Sequence, residues 1–402
     1  MTMIPKLRFI SFPIRNWEAG KIQDLFTSVR TNTYSRNLLN NRQGKYQNIH
    51  YGDILIKYGC IIDTQKEEIP YINEDIKCTA DNIIMDGDII IADTAEDEIV
   101  GKASEIFNVA NKKILSGLHT FCLRPVISFA PKYLGYYFNS SQYHNQLLPL
   151  IQGAKVSSIS KKAINNTIVV YPIIREQQKI ANCLSSLDDL IEATIKKVDV
   201  LKEHKKGLMQ RLFPANGSNV PNLRFPEFQN TKGWEEYKLK SLCEIGNGKD
   251  YKHLGSGNIP LYGSGGYMTS VDDFLYDGES VCIGRKGTID KPIFLTGKFW
   301  TVDTLFYTHS FRNCLPKFLY LIFQQINWYK YNEAGGVPSL SKTTIREINV
   351  FVPVEKNKEL KEQQKIADCL SSLDELIEAT SRKAEILKEH KKGLMQQLFP
   401  KI

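Results

Sequence analysis

The stretch whose residue types most clearly imply chemistry is SVCIGRKGTIDKPIF, Ser280 to Phe294. An apolar run enters Gly284-Arg285-Lys286-Gly287, and a second apolar run follows. Glycine on both sides lets the backbone approach a surface closely. An arginine there can bridge guanine O6 and N7, and the lysine can meet a phosphate. The same four residues also make a tight hairpin turn with two solvated cations, and the loop alone weighs evenly between the two. The comparable earlier stretch, ADTAEDEIVGK (Ala92 to Lys102), is acidic through Asp93, Glu96, Asp97 and Glu98. Carboxylates accept from cytosine N4 but repel phosphate, which favours a solvated loop there.

Further contact candidates mix cations, amides, hydroxyls and aromatics, the types that meet both phosphate and base edges. RTNTYSRN supplies Arg30, Asn32, Tyr34 and Arg36, and NGKDYKH supplies Lys249, Tyr251 and Lys252. KVSSISKK supplies Lys155, Ser157 and Lys161, and VPSLSK supplies Ser341 and Lys342. With Arg285 and Lys286 these form the candidate DNA-binding set. Serines in such runs also shape turns, so the structural reading stands beside the binding one.

Catalytic constellations are missing from the sequence. It has no GxxxxGK[ST] phosphate loop and no Asn/Asp-Pro-Pro-aromatic motif for gripping a flipped base. IGNGKD (Ile245 to Asp250) is read as a turn. The seven histidines show no metal-ligand spacing, and the eight cysteines form no CxxC pair, which fits a reduced, cytoplasmic chain without structural zinc. No catalytic residue and no metal site are expected. Apolar runs are too short for a membrane span, and the N-terminal MTMIPKLRFISFP shows no secretory signal. The net charge is +8, which favours polyanionic partners.

The elements that must position these loops are set by a repeat. Glu176 to Pro214 and Glu362 to Pro400 agree at 31 of 39 positions. In the first copy Ile180, Leu184, Leu187, Ile191, Thr194, Val198, Leu201, Lys205, Leu208 and Leu212 alternate steps of four and three, a heptad seam. The second copy repeats it through Ile366, Leu370, Leu373, Ile377, Thr380, Ala384, Leu387, Lys391, Leu394 and Leu398. Both end at Leu-Phe-Pro, where proline stops a helix, so each helix is about 55 Å long at ~1.5 Å per residue. The obvious partner for each stripe is the other copy. Thr194, Thr380, Lys205 and Lys391 either fix register and direction or, for the lysines, snorkel.

The halves match outside the helices too. PKLRF (Pro5 to Phe9) returns as PNLRF (Pro221 to Phe225), each followed by a tryptophan, Trp17 and Trp234. Gly153 to Pro172 parallels Ala334 to Pro353, MDGDIII parallels YDGESVCI, and KYLGYYF parallels KFLYLIF. The chain therefore reads as an internal duplication, arm, helix, arm, helix. Short strands are expected at Ile83–Ile84, Asp88–Ile91, Val281–Ile283 and Ile348–Val352, with helices near 131–150 and 315–332.

Two variable arms beginning PxLRF…W, alternating with helices that begin EQQKIA and end LMQxLFP, strongly resemble the specificity subunit of type I restriction–modification enzymes over essentially the whole chain. The resemblance implies an α+β architecture. Two globular mixed α/β target-recognition domains would be held apart by two long antiparallel helices, a coiled coil, in a pseudo-two-fold internal duplication. The expected parts are residues 1–174 (first target-recognition domain), 175–213 (first helix), 214–359 (second target-recognition domain) and 360–402 (second helix and C-terminus). It also implies a non-catalytic chain that reads a bipartite, asymmetric site in double-stranded DNA, one half per domain. The helices would set the spacer and dock two modification (methyltransferase) subunits, and restriction (translocase and nuclease) subunits would join. No cofactor would be bound here; S-adenosylmethionine, ATP and Mg would sit on partner subunits. A two-armed protein-binding scaffold and a stand-alone methyltransferase are the competing readings, the latter needing a cofactor fold that the sequence lacks.

Overall fold

In the computed structural model Ile174–Leu212 and Glu359–Leu398 are continuous α-helices of 39 and 40 residues. The structure describes residues 3–13, 15–76, 78, 82–153, 155–215, 217–353 and 359–401. Met1 and Thr2 of the N-terminal stretch, Ala154 in the Gly153–Pro172 segment, residues 354–358 at the end of the expected second arm, and Ile402 lie outside the described residues.

The chain forms two compact units, Met1–Ile195 with Arg382–Ile402, and Lys196–Ser381. Each unit thus joins one arm to the start of one long helix and the end of the other. Within the first unit Ile180 and Leu184 share a core with Leu398 and Phe399. Within the second, Ile366 and Leu370 share a core with Leu212 and Phe213. In each unit the start of one helix meets the end of the other, so the segments run antiparallel. Among the seam positions Leu184, Ile191, Val198 and Leu370 are buried, whereas Leu187, Leu201, Leu208, Leu373, Ile377, Leu387 and Leu394 are half-buried.

The polar seam residues are partnered. Lys205 meets both carboxylate oxygens of Asp374 at 2.7 Å, and Lys391 meets Asp188 at 2.5 Å. Asp188 also accepts a hydrogen bond from Tyr136 at 2.8 Å. Thr194 and Thr380 turn back to donate to Leu190 O and Leu376 O of their own helices. The lysines therefore make ion pairs between helix segments rather than simply snorkelling.

Both arms use the same layers. The first has a five-stranded sheet ordered Phe26–Val29, Thr120–Pro125, Ile89–Ala92, Ala103–Phe107, Ile61–Asp63, and the second a four-stranded one ordered Glu244–Asn247, Leu305–His309, Ser280–Gly284, Ile293–Leu295. Ile89–Ala92 and Ser280–Gly284 are buried throughout, which is why Ile89–Ala92 and Val281–Ile283 read as unbroken apolar runs. Each arm adds a second, four-stranded sheet containing one parallel pair: Ile114–Ser116 beside Gln47–Ile49, and Lys298–Thr301 beside Ser256–Gly263. An antiparallel ribbon closes each arm onto its helix, Glu18–Lys21 with Ile168–Tyr171 and Glu235–Lys238 with Asn349–Val352.

Four expectations change. Ile83–Ile84 is not a strand, and Ile83 makes only an isolated bridge to Leu115. The helix near 131–150 is Tyr133–Phe138 followed by Ser141–Leu147, because Ser140 accepts from Tyr143 N and starts a new helix. The helix near 315–332 is Pro316–Phe323, after which Trp328 donates its indole N–H to Phe323 O and a short 3-10 turn, Trp328–Tyr331, follows. Ile245–Asn247 of the expected IGNGKD turn belongs to strand Glu244–Asn247, paired with Phe306–His309.

Candidate nucleic-acid interface

Arms must be tied to helices before their loops can be aimed, and the EQQK sequence at each helix start does this. Glu176 is gripped by Arg8, and Glu362 by Arg224, each through both carboxylate oxygens at 2.6–2.7 Å. Gln177 accepts from Ala130 N and donates to Pro172 O; Gln363 accepts from Leu315 N and donates to Asn313 O. Lys179 lies over the Phe9 ring and Lys365 over the Phe225 ring. The PxLRF and EQQK motifs are therefore two halves of one clamp, made once in each unit.

In the second arm four chain segments meet. Arg285 N donates to Thr304 O at 2.8 Å, Gly287 N to Pro338 O at 2.9 Å, and Leu340 N to Arg285 O at 2.9 Å. Lys249 N donates to Thr301 O, and the Trp300 indole returns a bond to Lys249 O. The loops bearing Lys249, Tyr251 and Lys252, Arg285 and Lys286, and Ser341 and Lys342 are thus carried on shared backbone contacts. Lys249, Lys252, Arg285 and Lys286 are exposed, Tyr251 and Lys342 half-buried. Gly284 and Gly287 are required by the turn itself: a Cβ on Gly284 would lie 2.0 Å from Thr288 O, and Gly287 has φ +86°. Ser341 accepts from Thr344 N as the N-cap of Lys342–Arg346.

The first arm joins the equivalent segments with different chemistry. Ser157–Ser158 pairs antiparallel with Thr94–Ala95, beside the acidic loop. Lys155 and Lys161 are exposed on either side, with Ser160 capping Lys161–Asn165. Arg30, Asn32 and Tyr34 line a hollow of about 350 Å³ with Asn82 and Ser116. Arg30 is exposed, but Asn32 donates to Asn48 Oδ1 at 2.6 Å, and Arg36 is paired with Asp53 at 2.6 Å.

An aromatic and histidine group beside these loops gave no sequence signal, since His119 lies far along the chain from His50 and Tyr51. Tyr51 packs between His50 and His119, with ring centroids 4.6 and 5.3 Å away. His119 lies 3.3 Å from Asp93 and 3.4 Å from the Thr94 hydroxyl. Burial holds the His50 imidazole below its ordinary pKa; Arg36 and His119 push the same way and Asp53 opposes. His50 Nδ1 accepts from Gly52 N, capping helix Tyr51–Ile56.

Among the described residues no group of three or more His, Cys, Asp or Glu is placed to hold a metal ion, and no helix is long and apolar enough to cross a membrane.

Comparison with known proteins is consistent along the chain. The family model "Type I restriction modification DNA specificity domain" matches residues 14–203 and again 231–389. The MjaX type I restriction enzyme specificity subunit of Methanocaldococcus jannaschii is 24% identical, over 96% of this chain and 93% of its own. The MjaVIII specificity subunit of the same organism is 24% identical over 62% of this chain and 65% of its own. Among solved structures, the type I restriction–modification S subunit from M. genitalium superposes with a TM-score of 0.63 at 17% identity, with both chains fully covered. With two copies of the specificity domain spanning most of its length, the chain belongs to the type I restriction–modification DNA specificity family.

Proposed function

We propose that this chain reads a bipartite, asymmetric site in double-stranded DNA, with one half read by each arm. The observation that carries this reading is a shared frame with unlike loops. The same Arg–Glu clamp anchors both arms. The matched loop pairs, 94–95 with 157–158 and 285–287 with 338–340, flank acidic residues in one arm and Arg285–Lys286 in the other. Conserved positioning with divergent chemistry is what two readers of different half-sites need.

The candidate contacts remain Arg30, Asn32, Tyr34, Arg36, Lys155, Ser157, Lys161, Lys249, Tyr251, Lys252, Arg285, Lys286, Ser341 and Lys342. Asn32, Arg36 and Ser341 are already engaged within the protein, so their side chains shape the loops first. The helix pair sets the unread spacer and docks two modification subunits. Support for docking comes from repeat-equivalent apolar residues left exposed on the helices, Leu190 with Leu376 and Val200 with Ile386. The chain contributes no catalytic group. Methyl transfer and ATP-driven cleavage belong to the modification and restriction partners with their S-adenosylmethionine, ATP and Mg.

Co-expression with the cognate modification subunit in a host free of adenine methylation, followed by single-molecule mapping of modified bases, tests this. One split motif with a methylated adenine in each half is expected. Exchanging residues 1–174 for another first arm changes one half only. An active complex with no motif overturns the reading.

A further inference from the structure

The second sheet of the second arm ends in a hairpin that none of the candidate contacts includes. Strands Ser256–Gly263 and Gly266–Val271 pair up to Gly263 opposite Gly266, leaving Ser264-Gly265 as the turn. Lower in this hairpin Leu261 and Val271 are buried with Trp300 and Val302. At its tip Tyr267 is 62% and Met268 51% exposed. Two adjacent large side chains this open at a narrow tip are available to a partner.

The tip is held in place. The Tyr267 hydroxyl lies 3.0 Å from the Ser270 hydroxyl, and its ring meets Tyr262 edge-on at 6.0 Å. Ser264 sits against Gly284 and Gly287, so the tip rests on the loop that carries Arg285 and Lys286. Tyr251, Tyr267, Met268 and Asp303 line one open hollow of about 470 Å³. A two-stranded ribbon fits the major groove, about 12 Å wide, and exposed cations flank this one.

We propose that the Gly263–Met268 tip is a base-reading ribbon of the second arm. Met268 and Tyr267 contact apolar base edges, with a thymine methyl group as the matching ligand. Arg285 and Lys286 take the adjoining guanine edge and phosphate. Asp303 accepts from an exocyclic amine, which also keeps the hollow from being a plain phosphate site. This rests on the arm being a reader of one half-site.

The test is the methylome of the full chain with its modification subunit, comparing Tyr267→Ala and Met268→Ala with the unaltered protein. The expected result is an unchanged first half and a loss of discrimination of roughly 5- to 150-fold at one position of the second. An unchanged second half in both variants overturns the proposal and leaves the bipartite reading intact. Absence of any motif with the unaltered chain fails that reading instead. Should either variant melt at a lower temperature, uracil is substituted for thymine along the second half-site and binding by the unaltered complex is measured. Weakening at one position supports the ribbon; no sensitive position overturns it.

Discussion

Arg224 holds Glu362 through two hydrogen bonds of 2.7 Å, with both side chains almost wholly buried at 6% and 3% exposure. Trp234 donates to the same carboxylate at 3.4 Å, and Arg224 Nη1 donates to Thr231 O and Lys232 O. Every polar atom of the pair is thus engaged. Removing one member strands a buried charge, which costs about 3–5 kcal/mol. Arg224→Ala should lower the unfolding free energy of the second unit by that amount, read as a lower urea midpoint at unchanged m. Arg224→Lys should recover only part of it, since an ammonium cannot grip both oxygens in the planar fork. A loss below ~1 kcal/mol in urea titration would show that water reaches the site.

Phe399 follows the end of the second helix and packs against Tyr133 and Tyr137, with ring centroids 5.9 and 5.6 Å away. Phe213 does the same after the first helix against Trp234 and Phe318, at 5.5 and 5.4 Å. Each is an aromatic plug from a helix end into an arm's core. Phe399→Ala should cost about 3–5 kcal/mol, and hydrogen exchange should quicken in the first unit. Exchange that quickens equally in both units would count against such local anchoring.

The contrast between clamp and seam shows what one sequence can disclose. The heptad seam and the Leu-Phe-Pro stop are local patterns, so both long helices were legible as helices. The PxLRF and EQQK motifs were visible as repeats, but their pairing was not, because Arg8 and Glu176 meet only through tertiary folding. Loop chemistry was least legible. Asn32, Arg36 and Ser341 have the residue types that touch DNA, and the same types make Asx-type turns, ion pairs and helix caps. The His50–Tyr51–His119 group had no periodicity to betray it.

Lys205 and Lys391 make their ion pairs with aspartates that are 48% and 39% exposed, so solvent screens both contacts. A double-mutant cycle on Lys205 and Asp374 should return a coupling of only about 0.2–1 kcal/mol. A slipped helix register would break both pairs. A coupling well above that range, by thermal or urea unfolding, would assign them a direct share in stability.

His50 links the first arm to pH. Its folded pKa is depressed, chiefly by burial, below the ordinary 6.5. The neutral ring is therefore the form that stabilises the fold, through Nδ1 accepting from Gly52 N. That stability is fully present above the unfolded pKa and is lost as pH falls through the folded one. His50→Asn keeps a capping acceptor without a titrating ring. The unaltered protein should lose melting temperature as pH falls below about 6.5, and the variant should lose less. Parallel declines would place the acid sensitivity elsewhere.

Arg285 and Lys286 are adjacent and both exposed, yet they should fail differently when removed. A guanidinium bridging a guanine edge carries sequence information, whereas an ammonium at a phosphate carries none. Arg285→Ala should cost about 1–3 kcal/mol and relax one base position of the second half-site. Lys286→Ala should weaken binding evenly across sequences and reduce the salt dependence of log K by about one phosphate contact. Binding of randomised duplexes at several salt concentrations separates the two effects. If Arg285→Ala weakens all sequences alike, the loop serves as an electrostatic anchor, and discrimination in the second arm falls to the hairpin tip and the Lys249–Lys252 loop.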